Sequence, residues 1–440
     1  MKQINWKALS SLLAFVLIFT LFGCSSKSSS NESSSDKNST STKDKVVTLT
    51  LMTHYSAQQE VELKKYIDKW NTENPNIQVN HKSIADFGQL LPTIMAQQTS
   101  GQSADILHVY SLWGGQLSKS NVLAAPPSDV KKDIEANFAD AGIKGSTVDG
   151  KLLGYPSEVE TYALFYNKKL LADAGFNQPP KTWDELYTMS KAITKRDKSN
   201  KVLQEGFGLT SGWDSAVVHP YLSFVYSAGG SFLNSDGTKA NLDTDAGLKA
   251  LQLEEKFIND GVTDPSINVL QGFPSEKVAM TINAGWWNGS LKAGMKDKYS
   301  NIGVAPIPSP DGTTNGSVSY SFFYGVNSHS KHQAEAWKFL KWLNSAAQEN
   351  GATSEANFLV SQGIIPSRNS DVDALKDQLA NPNNQPFIDA LKYATPEPNN
   401  YAGQKIKTIL QKQIESVWSK QISAKDAIKN STDQVNSELK

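Results

Sequence analysis

The 440-residue sequence predicts an α/β layered body behind an N-terminal leader and a polar spacer. Three observations predict it. From Val46 onward, short β-rich runs alternate with helical periodicity and no internal repeat, the pattern of helices packed on a mostly parallel sheet. The 15-residue apolar run Ala8–Phe22 follows Lys2 and Lys7, as in a secretory signal, and falls short of the roughly 20 residues a spanning helix needs. Ser25–Lys45 is almost wholly Ser, Thr, Asn, Lys, Asp and Glu, a composition that cannot bury enough apolar surface to order itself.

The elements follow in order. Val46–Met52 reads as a strand. A helix carrying Val61, Ile67 and Trp70 ends near Asn74-Pro75. A strand begins at Ile77–Asn80, a helix spans Leu90–Gln98, and Asp105–Val109 is a short apolar strand. Lys151–Tyr155 and Tyr162–Tyr166 read as two strands. After Pro179-Pro180, Thr182 and Glu185 form a capping box, so a helix starts there and runs to about Lys195. Tyr221–Ser227 and Ala246–Asn259 read as helices, Val278–Ile282 and Val304–Ile307 as strands. Gln333–Ala347 is an amphipathic helix, and the last sixty residues are nearly all helical in pattern.

Composition narrows the function. Cys24, the only cysteine, cannot form an internal disulfide or a multi-cysteine metal site. The preceding Leu21-Phe22-Gly23 makes the signal's end resemble the bacterial lipobox, in which the cysteine is acylated and becomes the mature N-terminus. The 21-residue spacer would then be a tether reaching roughly 25 Å. Cleavage before Cys24 leaves 41 basic against 44 acidic residues, which argues against a nucleic-acid partner. Arg196 and Arg368 are the only arginines, so a multiply anionic ligand is disfavoured. No phosphate-binding glycine loop, Gly-x-Ser-x-Gly elbow or His-Glu-x-x-His occurs, and His329 and His332 read as a solvated pair. No cofactor and no metal are expected.

Three ordered segments carry a family resemblance: Gly154-Tyr155-Pro156 with Glu160, Tyr166-Asn167-Lys168 and Pro179-Pro180-Lys181-Thr182-Trp183; Val278–Trp287; and Pro308-Ser309-Pro310-Asp311-Gly312 with Gly325-Val326-Asn327-Ser328 and the Trp337 helix. Together they resemble extracellular solute-binding protein family 1, the maltose-binding-protein-like components of ABC importers, from Val46 to about Leu343. The resemblance implies a two-lobe, periplasmic-binding-protein-like (type II) fold with discontinuous lobes and a hinged cleft. The expected organisation is a signal peptide (1–23), a lipidated Cys24 and tether (24–45), a first lobe (46–157 and 325–362) and a second (158–324 and 363–440). Implied partners are a carbohydrate ligand, permease and ATPase subunits, and a membrane reached through the lipid anchor. The expected protein is a monomer on the outer face of a bacterial, Gram-positive cell membrane, and it carries no covalent chemistry.

A sugar offers apolar ring faces and a belt of hydroxyls, so its binder needs aromatic plates beside rigid polar groups. Glu158, Glu160 and Tyr162, spaced by two, share one face of an extended strand, and the family pattern favours Glu160. Trp286 and Trp287 follow a strand, where adjacent residues point in different directions, and the resemblance favours Trp286. Tyr110 and Trp113 lie in a loop that lines the cleft in the family; Trp213 occupies a comparable glycine- and serine-flanked loop. Tyr320, Phe322 and Tyr324 alternate on the second crossing strand, and Tyr324 is the preferred ligand residue of the three. Trp70, Trp183, Trp337, Trp342 and Trp418 read as scaffold. Two alternatives stay open: a non-sugar solute such as an amino acid, whose carboxylate Arg368 could clamp, and a glycoside hydrolase using Glu158 and Glu160.

Overall fold

The computed structural model describes residues 46–348 and 350–440; the leader, Cys24 and the spacer lie outside the described residues. The first run forms strand β1 (Val47–Thr53). Helix α1 (Ala57–Glu73) opens on a capping box between Ser56 and Gln59 and buries Leu63, Ile67 and Trp70, a stripe at helical spacing. Strand β2 (Ile77–Ser83), helix α2 (Phe87–Ser100), strand β3 (Ile106–Tyr110) and helix α3 (Ser128–Asn137) complete the first chain segment. β1 pairs parallel with both β2 and β3. Helix α2 runs longer than its apolar stretch because Asp86 caps its start and Gly101, at φ +69°, accepts the left-handed turn that ends it.

One strand replaces the two expected over Lys151–Tyr166: β4 (Tyr155–Asn167) is continuous for 13 residues, about 43 Å at strand rise, preceded by a two-residue strand at Lys151–Leu152. The polar run Ser157, Glu158, Glu160, Thr161 breaks the apolar pattern, yet all four side chains are buried because this stretch crosses between two halves of the molecule. Helix α4 (Trp183–Ile193) starts at the expected capping box, with Glu185 N–H donating to Thr182 Oγ1 at 3.0 Å and Thr182 N–H to Glu185 Oε2 at 3.2 Å. Next come β5 (Val202–Gly208), α5 (Asp214–Ser227), α6 (Asp245–Asn259), β6 (Val278–Ala284), α7 (Trp286–Met295), β7 (Ile302–Ala305) and β8 (Val318–Val326). Helix α5 begins well before Tyr221. It is buried almost all round and so lacks the one-sided stripe by which a helix is read.

The sheet runs β2-β1-β3-β8-β4-β6-β5, with β7 also on β4. It is mixed where a mostly parallel sheet was expected. Pairs β1/β2, β1/β3 and β5/β6 are parallel, whereas β8 runs antiparallel to β3 and β4, and β4 antiparallel to β6 and β7. The antiparallel pairs are those made by β4 and β8, the strands that cross from one half to the other in opposite directions.

Helices α8 (Gln333–Ser345) and α9 (Ser354–Ser361) return to the first half, packing Phe339, Leu340 and Phe358 with Leu49 and Leu51. The chain through Leu375 stays there: Ile364 joins that core, and Leu375 packs on Ala352 and Ala356. Helices α10 (Gly403–Trp418) and α11 (Ala424–Glu438) close the second half, burying Ile406, Leu410 and Ile414 with Phe224 and Phe257. The halves touch closely where α7 meets the end of α9. A Cβ on Gly289 would lie 1.9 Å from the Gln362 carbonyl oxygen, and Gly363 holds φ +79°, so both positions demand glycine. Among the described residues, no helix is long and apolar enough to cross a membrane.

Candidate binding site

Ligand crevices in α/β sheets lie beyond the carboxyl ends of parallel strands. Here two such sets face the crossing strands. β1 and β3 end at His54–Tyr55 and Tyr110–Trp113; β5 and β6 end at Thr210–Trp213 and Asn283–Trp286.

Between them runs a chain of aromatic rings. Trp113 stacks on Phe87 at 5.0 Å, and Phe87 meets His54 edge-on. His54 and His108 both lie nearly parallel to Phe322, at 4.5 and 5.0 Å. Tyr110 packs on Phe322 and meets Tyr320 edge-on, and Tyr320 leads to Tyr162 and His219 of the second half. The register explains the series: Phe322 of β8 opposes Tyr110, Tyr324 opposes His108, and Tyr320 opposes Glu160 of β4.

Carboxyls sit along the same crossing. Glu160 Oε2 accepts from the Trp286 N–H at 3.2 Å, while its Oε1 is buried without a partner. Burial pushes this carboxyl up to about 8, against the pull of the Trp286 and Gly285 N–H groups. Glu158 Oε2 is likewise buried and unpartnered; burial, and then the facing Glu160 and Glu355, hold Glu158 well above the carboxylate range. Unpartnered Nδ1 atoms of His54 and His108, the Thr210 hydroxyl and Asn283 Nδ2 extend the list of buried polar atoms without partners. Unsatisfied buried polar groups are costly, and so many at one seam point to groups that a ligand would satisfy.

A charged network clasps the other end of the seam. Lys407 of α10, 2% exposed, lies 2.7 Å from Glu397 Oε1, 3.7 Å from Asp214 and 2.7 Å from the Tyr110 hydroxyl of the first half. Tyr110 O–H also bonds Glu397, and His219 Nε2 lies 2.6 Å from Glu397 Oε1. Burial alone would raise Glu397, but His219 and Lys407 outweigh it and hold the carboxyl at about 2. Trp113 Nε1–H donates to Gln404 Oε1 at 2.7 Å, and Gln404 donates to Asp214 at 2.6 Å. The two halves are thus drawn together in this structure.

The residues singled out from the sequence divide clearly. Glu158, Glu160, Tyr110 and Trp113 stand together at the seam, and half-buried Trp286 touches the cores of both halves. Trp213 is half-buried at the start of α5, beside the Asp214 of the network. Trp287 points the other way, edge-on to Phe165 at 5.1 Å within the second half's core. Tyr324 is fully buried behind His108, its hydroxyl 3.3 Å from Glu355. Arg368 spends its guanidinium on Asp133 at 3.2 Å and over the Phe138 ring, within the first half. Trp70, Trp183 and Trp418 each turn the indole N–H onto a local acceptor, at Ile77, Pro308 and Glu254. Sequence reasoning missed His54, His108, His219, Glu397 and Lys407, which lie far apart in the chain and share no motif. The one available signal was position, since His54 and His108 sit in or just beyond predicted strands.

These buried groups predict a pH dependence of the ligand-free protein. Burial raises Glu160, Glu205 and Glu254 each to about 8 and Glu355 to about 7. Between 4.5 and those values the unfolded chain ionises while the folded one stays protonated, so each group loses stability as pH rises. Burial lowers His54, His81, His108 and His219 below 6.5, which has the opposite sign and fades between pH 6.5 and about 7.5 as the unfolded histidines lose their protons. Through this interval the raised carboxyls outweigh the histidines, and above about pH 7.5 only the carboxyls act. The melting temperature is therefore expected to fall from pH 6.5 to 8, by up to about 1.4 kcal/mol of stability per pH unit per carboxyl. Glu254→Gln should flatten that fall; a melting temperature that rises over this interval would contradict the assignment.

Known proteins share this chain's sequence and architecture. A binding protein of Brucella abortus (strain 2308) is 28% identical over 296 residues, 66% of this chain and 70% of its own. The maltodextrin-binding protein MdxE of Bacillus subtilis (strain 168) is 28% identical over 366 residues, covering 79% of this chain and 78% of that protein. The GacH receptor of Streptomyces glaucescens, solved unliganded and with acarbose, shares the fold with a TM-score of 0.79 at 21% identity, over 90% of this chain and 98% of the receptor. That likeness makes the architecture the two-lobe type II binding-protein fold. The profile of the bacterial extracellular solute-binding proteins matches residues 56–350, well over half the length, and the chain belongs to that family.

Proposed function

We propose that the chain captures a carbohydrate, an oligosaccharide by preference, at the seam between its lobes and delivers it to the permease and ATPase subunits of an ABC importer. The observation that carries this reading is the pair of buried, unpartnered carboxyl oxygens of Glu158 and Glu160 set among aromatic rings where two lobes meet. Rings accept the apolar sugar faces, and carboxyl oxygens accept the hydroxyls. Maltodextrin as the ligand named for MdxE, and acarbose as that of GacH, support the same class. Trp286, Trp113, Tyr110 and Trp213 supply the plates. The hinge lies near Glu158 and Tyr324 and in the third crossing between Leu375 and Phe387, and closure draws its free energy from contacts made only when the lobes meet. The chain acts as a monomer that binds without turnover. A thermal-shift panel of mono- and oligosaccharides, amino acids and short peptides tests the reading. A sugar at 100 times its dissociation constant should add about 2.7 kcal/mol of stability. Stabilisation by an amino acid or peptide and by no sugar would overturn it.

The same reading places the protein on the outer face of a Gram-positive membrane, with Cys24 acylated and the following spacer as a leash. The two or three acyl chains of a bacterial lipoprotein would anchor stably where one would not. Cys24→Ser should move the protein from the membrane fraction to the medium or soluble fraction. An unchanged distribution would remove the tether.

A further inference from the structure

We propose that His54, His108 and Glu158 form a binding site for a divalent transition-metal ion of the zinc class, with one coordination position left open for water or a hydroxyl of the solute. One ligating atom from each residue lies within 4.8 Å of the other two. Each residue has a buried donor without a hydrogen-bond partner: His54 Nδ1, His108 Nδ1 and Glu158 Oε2.

Ring spacing suits the ion. Two imidazoles sharing a tetrahedral ion at about 2.0–2.1 Å per bond have centroids about 5 Å apart. The His54 and His108 centroids are already 5.2 Å apart; the rings are stacked at 8°, so on binding they must tilt apart for both in-plane lone pairs to meet at one ion. Ligating atoms around such an ion stand about 3.3 Å from one another. The widest of the three gaps would therefore close by up to about 1.5 Å, which needs movement of more than one of the three side chains.

The surroundings favour a cation. Glu158 faces two further buried carboxyls, Glu160 and Glu355, and among the described residues no lysine or arginine lies within ion-pair distance of the three. His108 is also braced from behind: its Nε2 lies 3.4 Å from the Tyr55 hydroxyl, the outer contact that fixes the tautomer and orientation of a ligating histidine. Two imidazoles and one carboxylate suit zinc, cobalt, nickel or copper, and are a poor match for magnesium or calcium, which take oxygen shells. The site stands on these donors; since Glu158 Oε2 is also one of the two oxygens offered to the sugar, a bound ion would leave Glu160 Oε1 as the direct acceptor and present its own open position to the solute.

Cobalt titration of the chelator-treated full chain, followed by the visible absorption of tetrahedral Co²⁺, is the test. One Co²⁺ per chain should bind and be displaced by Zn²⁺ but not by Mg²⁺ or Ca²⁺. His54→Ala and Glu158→Gln should each weaken binding by at least the roughly 10–100-fold that losing even an outer-shell partner costs. His54 is the decisive position because it is partly exposed, so its variant should fold even where a substitution at fully buried His108 does not. Failure of the chain to bind Co²⁺, binding untouched by His54→Ala, or binding abolished instead by His332→Ala would each overturn the proposal.

Discussion

Lys407→Met is expected to destabilise the folded protein by about 3–5 kcal/mol at pH 7, the cost of leaving buried carboxylates without their cation. The ammonium stands between Glu397 and Asp214, both largely buried, and its third contact is the Tyr110 hydroxyl across the seam. Methionine keeps the volume and removes the charge, so the loss reports electrostatics and not a cavity. Two features make the expectation specific. His219, 2.6 Å from Glu397, can take up a proton in the variant, so the deficit should shrink as pH falls toward 6. Glu397→Gln in the same chain should recover part of the loss, because the groups form one coupled network. Urea unfolding measures all three; a loss below 1 kcal/mol would show that Lys407 is not the keystone of the clasp.

Trp286→Ala is expected to weaken sugar binding by about 2–4 kcal/mol, roughly 30-fold to nearly 1000-fold, as loss of a central aromatic contact does. Its ring is only half-buried, while neighbouring Trp287 fills the core against Phe165 and Phe273. The Glu160 contact survives the substitution because Trp286 makes it through its backbone N–H. Folding should therefore survive and affinity should not. Trp287→Ala is the converse control: a core aromatic cut to alanine should cost about 3–5 kcal/mol of stability. Titration calorimetry on Trp286→Ala decides the matter, and an unchanged dissociation constant would make Trp286 scaffold.

How much of this was legible in the sequence depends on the range of each interaction. Local chemistry read through directly. The Thr182–Glu185 box set the start of α4, and Asn74-Pro75 set the end of α1. Long-range pairing did not. Between Pro156 and Thr161 no apolar alternation announces a strand, only the two-residue spacing of Glu158, Glu160 and Tyr162, because the extended form is imposed by pairing with β8. Helix α5 hid its first half for a related reason: surrounded by core, it has no polar face to mark a period. At the site, period-two spacing brought Glu158 and Glu160 forward, and the strand-end position brought Trp286. The clasp could not be foreseen, since Tyr110, Asp214, His219, Glu397 and Lys407 come from four separate segments that only the fold brings together.

The central claim is that a sugar lies in the seam between the lobes. A crystal structure of the chain with the carbohydrate found by the thermal-shift panel tests it most directly. The account predicts a sugar ring face against Trp286, with a hydroxyl donating to the presently unpartnered Oε1 of Glu160 and both lobes in contact with the ligand. A sugar bound on the outer surface of one lobe, with Glu160 Oε1 still without a partner, would contradict it.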